Sequence, residues 1–402
     1  MSLSRRNLLR NLGVGAVVGA AAPALRGFPL APDMEAALWG NSVPAVGPNA
    51  DHAEPVLLYR NENPYGASEK VVAVLRESAS SGNRYPRTEY DTLLDKLAAL
   101  HKVKREQIVL GCGSGEILCM AAMAFLGPGK KLIFPAPTFP ALGKLAKDSG
   151  TQVVEVPLGK NYGHDLTAML AHCDESTNLV YICNPNNPTG TITPRKDIEL
   201  FISRLTSRTF VLIDEAYHHF PSPGSGYESF LDNPFPNPHI IVARTFSKIY
   251  GLAGMRIGYA VAAPEVAKRL AAGFPGWSVS VVSARAASAA LDDVEYARAN
   301  WRVIRAERER LSVELERRGF AVIPSQANFL LVTTPDRAHA GWLYSALKMR
   351  GVLVRFFDKP ALDNKLRISV GAPDENDRLL AALDASLDRD PFRKRPHTSG
   401  DL

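Results

Sequence analysis

Lys248 stands in the string Thr245-Phe246-Ser247-Lys248-Ile249-Tyr250-Gly251-Leu252-Ala253-Gly254-Met255-Arg256. Hydroxyls flank it and an arginine follows eight residues on. A lysine amine can form a Schiff base with an aldehyde cofactor. Thr245, Ser247 and Arg256 have the donors to hold a phosphate, the arginine in bidentate fashion. Two further strings carry chemistry. In Cys183-Asn184-Pro185-Asn186-Asn187-Pro188-Thr189-Gly190, a rigid turn presents the Asn187 amide. In Val211-Leu212-Ile213-Asp214-Glu215-Ala216-Tyr217, Asp214 closes an apolar run. A carboxylate at the end of a buried strand needs a partner.

The elements that must position these groups are legible as short apolar runs. His239 to Ala243 reads as a buried strand that delivers the lysine segment, and ligands of open α/β sheets bind beyond the carboxyl ends of such strands. Gln107–Leu110, Lys131–Phe134, Val153–Val156, Leu179–Ile182 and Ile257–Val261 read as further strands, with helical patterns between most of them. That alternation predicts a mostly parallel sheet. After Leu110 comes Gly111-Cys112-Gly113-Ser114-Gly115-Glu116, opening an apolar helix to about Phe125. Free N–H groups at a helix start attract phosphate, which makes Ser114 and Gly115 cradle candidates. Ser68 is a plausible N-cap for a helix to about Ser80. Further helices are expected at Tyr90–His101, from Pro264, at Ser280–Leu291 and at Val294–Arg318, the last a half-solvated surface helix. From Phe320 the pattern is β-β-α-β-β-α.

The lysine, asparagine and aspartate strings, in this arrangement, resemble the fold-type I aminotransferases, which use pyridoxal 5'-phosphate. The implied fold class is α/β: a large domain with a mostly parallel central sheet, plus a smaller α+β domain. The resemblance makes Lys248 the catalytic residue and gives Asp214 a protonated pyridine nitrogen as its partner. Asn187 and Tyr217 then reach the cofactor's phenolic oxygen, and Phe139 stacks on its ring. Ser114, Gly115, Thr245, Ser247 and Arg256 hold its phosphate. Leu57-Leu58-Tyr59-Arg60-Asn61-Glu62-Asn63-Pro64-Tyr65-Gly66 resembles the start of the histidinol-phosphate aminotransferase subfamily, which places Tyr65 at the substrate entrance. Tyr85, in Arg84-Tyr85-Pro86, matches a tyrosine that reaches the cofactor phosphate of a neighbouring subunit, implying a homodimer with shared active sites. Asn328 matches a residue near the substrate. Arg367 matches the clamp for a substrate α-carboxylate, and Arg355 the arginine that helps bind a substrate phosphate. The expected reaction moves an amino group from a small-molecule donor to a 2-oxo acid, with 2-oxoglutarate the expected acceptor. The donor is left open between a histidinol phosphate-like amine and an aromatic amino acid. Decarboxylation of a phosphorylated amino acid, or a binding protein without turnover, are the other readings.

Composition fits an enzyme of this kind. Of 402 residues, 46% are hydrophobic and 22% charged, ordinary for a globular chain. The net charge of +6 is gathered largely at the ends, in Arg5, Arg6, Arg10, Arg26, Arg393, Lys394 and Arg395, and does not indicate nucleic-acid binding. Cys112, Cys119, Cys173 and Cys183 have no CxxC spacing, and no metal site is suggested. His218 and His219 likewise lack ligand spacing and are expected as solvated or rim residues. Ser4-Arg5-Arg6-Asn7-Leu8-Leu9-Arg10, followed by a small-residue apolar run from Leu12 to Ala22, resembles a twin-arginine export signal. The run is too short for a mature membrane span, so no stable membrane anchor is expected. A periplasmic or otherwise exported protein follows, with a cytoplasmic one as the alternative. The expected organisation is a signal peptide (1–24), a linker (25–54), a segment joining the small domain (55–84), the large domain (85–290), the small domain (291–388) and a disordered tail (389–402).

Overall fold

The computed structural model describes residues 54–274 and 276–392. The expected signal peptide lies outside the described residues, as do most of the linker and of the tail.

Seven strands form the larger sheet: β2 (Ile108–Gly111), β3 (Lys131–Ala136), β4 (Gln152–Pro157), β5 (Thr177–Cys183), β6 (Phe210–Asp214), β7 (Ile240–Thr245) and β8 (Gly258–Ala262). β1 (Val56–Leu58) belongs to a second sheet. The spatial order is β2-β8-β7-β6-β5-β3-β4. Pairing is parallel from β7 to β4, while β8 runs antiparallel to both of its neighbours. The residues of β5 to β8 are almost all buried, as continuous apolar runs in a parallel sheet require. Helices connect the strands: α1 (Glu69–Ser78), α2 (Thr88–His101), α3 (Ser114–Phe125), α4 (Ala141–Asp148), α5 (Leu166–Ala171), α6 (Arg195–Ser203), α7 (Pro264–Ala271) and α8 (Val281–Asp292). Ser68 caps α1 by accepting the Val71 N–H, and Ser280 caps α8 by accepting that of Ser283. The long Gly/Pro-rich connection from β6 to β7 is pinned from inside. Arg195 on α6 donates to the carbonyls of Ser229 and Asn233 at 2.8 and 2.7 Å.

The 24-residue helix α9 (Val294–Arg317) leads to the second sheet. Its outer face is laced by the pairs Arg298–Glu295, Arg305–Glu309 and Arg317–Glu314, which sit at helical spacing. Ile304, Leu311 and Leu315 form its buried side. The expected β-β-α-β-β-α order follows: β9 (Ala321–Ile323), β10 (Phe329–Thr333), α10 (Arg337–Met349), β11 (Val352–Phe356), β12 (Lys365–Ser369) and α11 (Pro373–Leu387). The sheet order is β1-β11-β12-β10-β9. β1 lies parallel to β11, with Leu58 opposite Val354.

Between the two sheets lies a small apolar cluster of Tyr217, Phe220, Ile249, Ile304, Ala327, Phe329 and Val370. Tyr217 follows β6, Ile249 follows Lys248, and Phe329 and Val370 come from the second sheet. Each large side chain so buried contributes roughly 1.5–3 kcal/mol. The cluster therefore fixes the lysine turn against the strands that carry Asn328 and Arg367. Among the described residues no helix is long and apolar enough to cross a membrane.

Candidate active site

The chemically equipped residues collect beyond the carboxyl ends of β5, β6 and β7. β7 ends at Thr245, and the chain turns through Ser247 to Lys248. Lys248 Nζ donates to the backbone carbonyls of Arg60 and Asn61 at 3.3 and 3.0 Å, and lies 5.5 Å from the centre of the Tyr217 ring. Burial pushes this amine from its ordinary 10.5 down to about 7, and repulsion from Arg367 adds to the shift. An uncharged amine near neutral pH is what a nucleophile or proton carrier needs. Gly251 makes the turn possible. Its φ is +68°, and a Cβ there would fall 1.8 Å from the Gly66 carbonyl oxygen.

Asp214, the last residue of β6, is 3% exposed. It accepts hydrogen bonds from the Tyr181 hydroxyl at 3.0 Å and the Ala216 N–H at 3.1 Å. Burial raises its carboxyl to about 6 despite those two bonds. A cation brought to it would be stabilised and would draw that value back down.

Tyr217 and Asn187 meet as expected. The Tyr217 hydroxyl accepts from Asn187 Nδ2 at 3.4 Å and from Asn61 Nδ2 at 3.0 Å. Arg367 Nη1 donates to Asn187 Oδ1 at 2.5 Å, and Arg367 Nη2 to the Tyr59 carbonyl at 2.8 Å. Burial lowers the Arg367 guanidinium to about 10. Among the described residues, Arg367 Nε and Asn328 Oδ1 are buried without a hydrogen-bond partner. Asn328 Nδ2 donates to the carbonyls of Asn61 and Glu62 at 3.0 and 3.3 Å.

The phosphate candidates also converge. The Thr245 and Ser247 hydroxyls are 2.9 Å apart, and Arg256 Nη1 lies 3.5 Å from Ser247 Oγ. Arg256 Nη2 reaches the Cys112 carbonyl at 3.5 Å, in the loop ahead of α3. Ser114 and Gly115 open that helix, whose first N–H groups have no carbonyl within the helix to bond. Gly113, at φ +75°, lets the guanidinium pass, since a Cβ would lie 2.4 Å from Arg256 Nη2. A Cβ at Gly115, in the first turn of the helix, would meet nothing within 4 Å.

Phe139 lies half-buried just past β3. Its turn is tied to the Asn187 loop, because Asn186 accepts from Thr138 Oγ1 at 2.7 Å and donates to the Pro137 carbonyl at 3.1 Å. Arg355 is half-buried on β11, directly opposite Arg367 on β12. Tyr65 is at the surface of the turn after Pro64. Tyr85 is 78% exposed, with its ring 5.8 Å from that of Trp277, a position open to a second chain.

His218 and His219 are half-buried, in keeping with a rim position. Their ring centres lie 3.6 Å apart at a tilt, and His219 meets Tyr250 edge-on. Burial drives both imidazoles well below their usual range, His219 to about 3, with Arg244 adding repulsion.

Sequence reasoning missed two participants. Asn61, buried at φ +56°, is the hub of the site. Its carbonyl accepts from Lys248 and Asn328, its side-chain amide donates to the Tyr217 hydroxyl, and its backbone N–H donates to Ser369 Oγ at 2.8 Å. Asparagine is among the few residues that tolerate this backbone region, and its place in Asn-Glu-Asn-Pro was the available signal. Tyr181, in the middle of an apolar strand, gave none.

The donor set fits pyridoxal 5'-phosphate on this structure's own terms. It offers a buried amine of lowered proton affinity, a buried carboxylate without a cation of its own, and an open helix N-terminus beside an arginine and two hydroxyls. Comparison with known proteins agrees. The model of the aminotransferase class I and II family matches residues 53–383. The chain is 38% identical to histidinol-phosphate aminotransferase 2 of Carboxydothermus hydrogenoformans over 331 residues, 82% of this chain and 91% of that one. It is 37% identical to histidinol-phosphate aminotransferase 2 of Ralstonia nicotianae over 337 residues, 83% and 89% of the two chains. Its fold is similar to the crystal structure of histidinol-phosphate aminotransferase from Sinorhizobium meliloti in complex with pyridoxal-5'-phosphate. The TM-score is 0.79 at 27% identity, covering 91% of this chain and all of that one. The chain belongs to the class I and II aminotransferases, and is a pyridoxal-phosphate-dependent transaminase.

Proposed function

We propose that this enzyme transfers the amino group of a phosphorylated amino alcohol of the histidinol phosphate type to 2-oxoglutarate. The observation that carries the reading is the in-register pair Arg355–Arg367 at the mouth of the lysine site. Like charges directly opposite on neighbouring strands are unfavourable, and an anionic substrate relieves them. The similarity to histidinol-phosphate aminotransferases supports the same donor class.

In this reading Lys248 Nζ would hold the cofactor by its aldehyde, Asp214 would pair with its ring nitrogen, and Asn187 and Tyr217 would reach its phenolic oxygen. Phe139 covers the ring. Ser114, Gly115, Thr245, Ser247 and Arg256 hold the phosphate, with Tyr85 contributed by a second copy in a homodimer. When bound, pyridoxal phosphate supplies the electron sink that makes the donor's α-proton removable. Lys248 Nζ, uncharged near neutral pH, would accept the proton from the donor's α-carbon and carry it as an ammonium until it is given back to the product. Tyr65 borders the entrance, and Asn328 lies beside the substrate. Arg355 binds the donor phosphate, and Arg367 binds the α-carboxylate of the acceptor. The twin-arginine segment directs export, so the working compartment is the periplasm or its equivalent.

The test is glutamate formation by the cofactor-loaded protein from 2-oxoglutarate and L-histidinol phosphate, beside a panel of aromatic and acidic amino acids. Preference for the phosphorylated donor is expected; turnover only with a carboxylate-bearing amino acid would overturn the donor assignment. Mixing Lys248→Ala with Tyr85→Ala chains should restore partial activity through hybrid dimers. An Arg5→Lys, Arg6→Lys variant should stay in the cytosol.

A further inference from the structure

Tyr217 meets two side-chain amides, and the direction of each hydrogen bond follows from the amides' other partners. Arg367 Nη1 donates to Asn187 Oδ1 at 2.5 Å. A guanidinium has no acceptor, so this contact fixes Oδ1 toward Arg367. Asn187 Nδ2 is thereby turned to the Tyr217 hydroxyl, at 3.4 Å. The Asn61 amide is oriented in the same way. The Asn61 backbone N–H donates to Ser369 Oγ at 2.8 Å, and the Ser369 hydroxyl donates back to Asn61 Oδ1 at 3.2 Å. Asn61 Nδ2 is left to meet the Tyr217 hydroxyl, at 3.0 Å. The Asn61 backbone is itself anchored, since its carbonyl accepts from Lys248 Nζ and from Asn328 Nδ2, both at 3.0 Å.

Both partners of the Tyr217 oxygen are therefore amide nitrogens, which donate and do not accept. They fill the acceptor side of the phenol, and its own proton can go to neither of them. Burial raises the phenol well above its usual range, so that proton is retained. Tyr217 is buried, where an unmet donor is costly. The hydroxyl is thus set to give its proton's hydrogen bond to an acceptor that the site receives. Asn187 Nδ2 carries a second hydrogen, so it can serve Tyr217 and a ligand together.

We propose that Asn61 is a positioning residue: together with Asn187 it occupies the acceptor side of the Tyr217 hydroxyl and makes that hydroxyl an obligate hydrogen-bond donor to the cofactor's phenolic oxygen. This rests on the placement of Tyr217 in the reading above and deepens it. A donated hydrogen bond favours the ionised form of the group that accepts it. Asn61 therefore acts on the charge of the bound cofactor without touching it. Asparagine suits the task twice over. It tolerates the backbone at φ +56°, and its amide offers a donor to Tyr217 and an acceptor to Ser369 at once.

The experiment titrates the absorbance of bound pyridoxal phosphate against pH in the loaded wild type, Asn61→Gly, Tyr217→Phe and the double variant. Glycine accepts the positive φ, keeps the backbone contacts of residue 61 and deletes only its amide. Losing a donor to the phenolic oxygen raises the proton affinity of the bound cofactor, so the midpoint moves up. Tyr217→Phe should raise it by about one pH unit or more, and Asn61→Gly by about half a unit. Because Asn61 acts through Tyr217, adding Asn61→Gly to Tyr217→Phe should move the midpoint by less than about 0.2 unit further. Asn61→Asp places a carboxylate that accepts the Tyr217 proton, and should raise the midpoint at least as far as Tyr217→Phe. A shift from Asn61→Gly that is equal with and without the Tyr217 hydroxyl would overturn the proposal. So would a midpoint that stays at the wild-type value while thermal unfolding and cofactor affinity fall, which is the mark of a structural role only. Failure of the underlying placement reads differently: Tyr217→Phe itself would then leave the midpoint unmoved, and the role of Asn61 would fall with it.

Discussion

Asp214 and Glu215 are consecutive carboxylates at the end of one strand, and both are shielded from solvent, at 3% and 1% exposure. Their surroundings differ completely. Glu215 Oε2 accepts from Arg244 Nε and Nη2 at 3.1 and 3.0 Å and from Ser229 Oγ at 2.6 Å, while Oε1 accepts from the Phe230 N–H at 2.8 Å. A full guanidinium balances its charge, and the Ser229 hydroxyl joins the two. Asp214 has a phenol and one backbone N–H. Burial raises its carboxyl to about 6, and attraction from Lys248 offsets only part of that rise. Burial therefore does not separate a structural charge from a functional one. What separates them is whether the protein itself completes the shell. Glu215 is closed and holds the β6–β7 connection; Asp214 is left open to a cationic ligand.

The largest way to break this comparison is at the amine that completes the open side. Lys248→Ala should lower turnover by about 10⁴-fold, at the upper end for loss of a positioned proton carrier, while the fold survives. Steady-state transamination beside a thermal melt checks both. On the closed side, Glu215→Ala strands the Arg244 guanidinium and should destabilise the protein by about 3–5 kcal/mol, read by denaturant unfolding. Asp214→Asn should do the reverse. It should keep stability close to wild type and lose about 10²–10³-fold in turnover, the scale of one removed electrostatic contact. If Asp214→Asn unfolded the protein as severely as Glu215→Ala, the distinction would fail.

How far the sequence carried this distinction can be seen at the same residues. The strand ending at Asp214 was legible because four apolar residues precede it, and the lysine turn because β7 is an equally apolar run. The phosphate loop was legible as glycine and serine between a strand and a helix. Strand position picked out Asp214, but nothing local showed that Glu215 beside it would be buried as well. The guanidinium that neutralises Glu215 comes from a neighbouring strand, and only strand pairing brings Arg244 to it. The same holds for Asn61, whose partners lie 156 to 308 positions away. Sequence periodicity reports the strand, not what its neighbour presents.

Two pH effects sharpen the comparison at smaller scale. In the cofactor-free protein the Lys248 amine sits at about 7, against an ordinary 10.5. Between those values the unfolded chain binds the extra proton, so stability should rise as pH rises from about 7 to about 10.5. Lys248→Met should flatten that rise in melts of the cofactor-free protein. His219 acts at the acid end, at about 3 against 6.5. The unfolded chain again binds more protons, so stability should fall as pH falls from 6.5 toward 3. His219→Phe should reduce that loss, whereas an unchanged acid limb would mean that other groups dominate it.

The most direct test of the open-site account is to load the protein with pyridoxal phosphate, reduce it with borohydride, and map the modified peptide by mass spectrometry. The account predicts one phosphopyridoxyl group per chain, on Lys248, and its loss in Lys248→Ala. A label on another lysine, or none in the wild type, would contradict it.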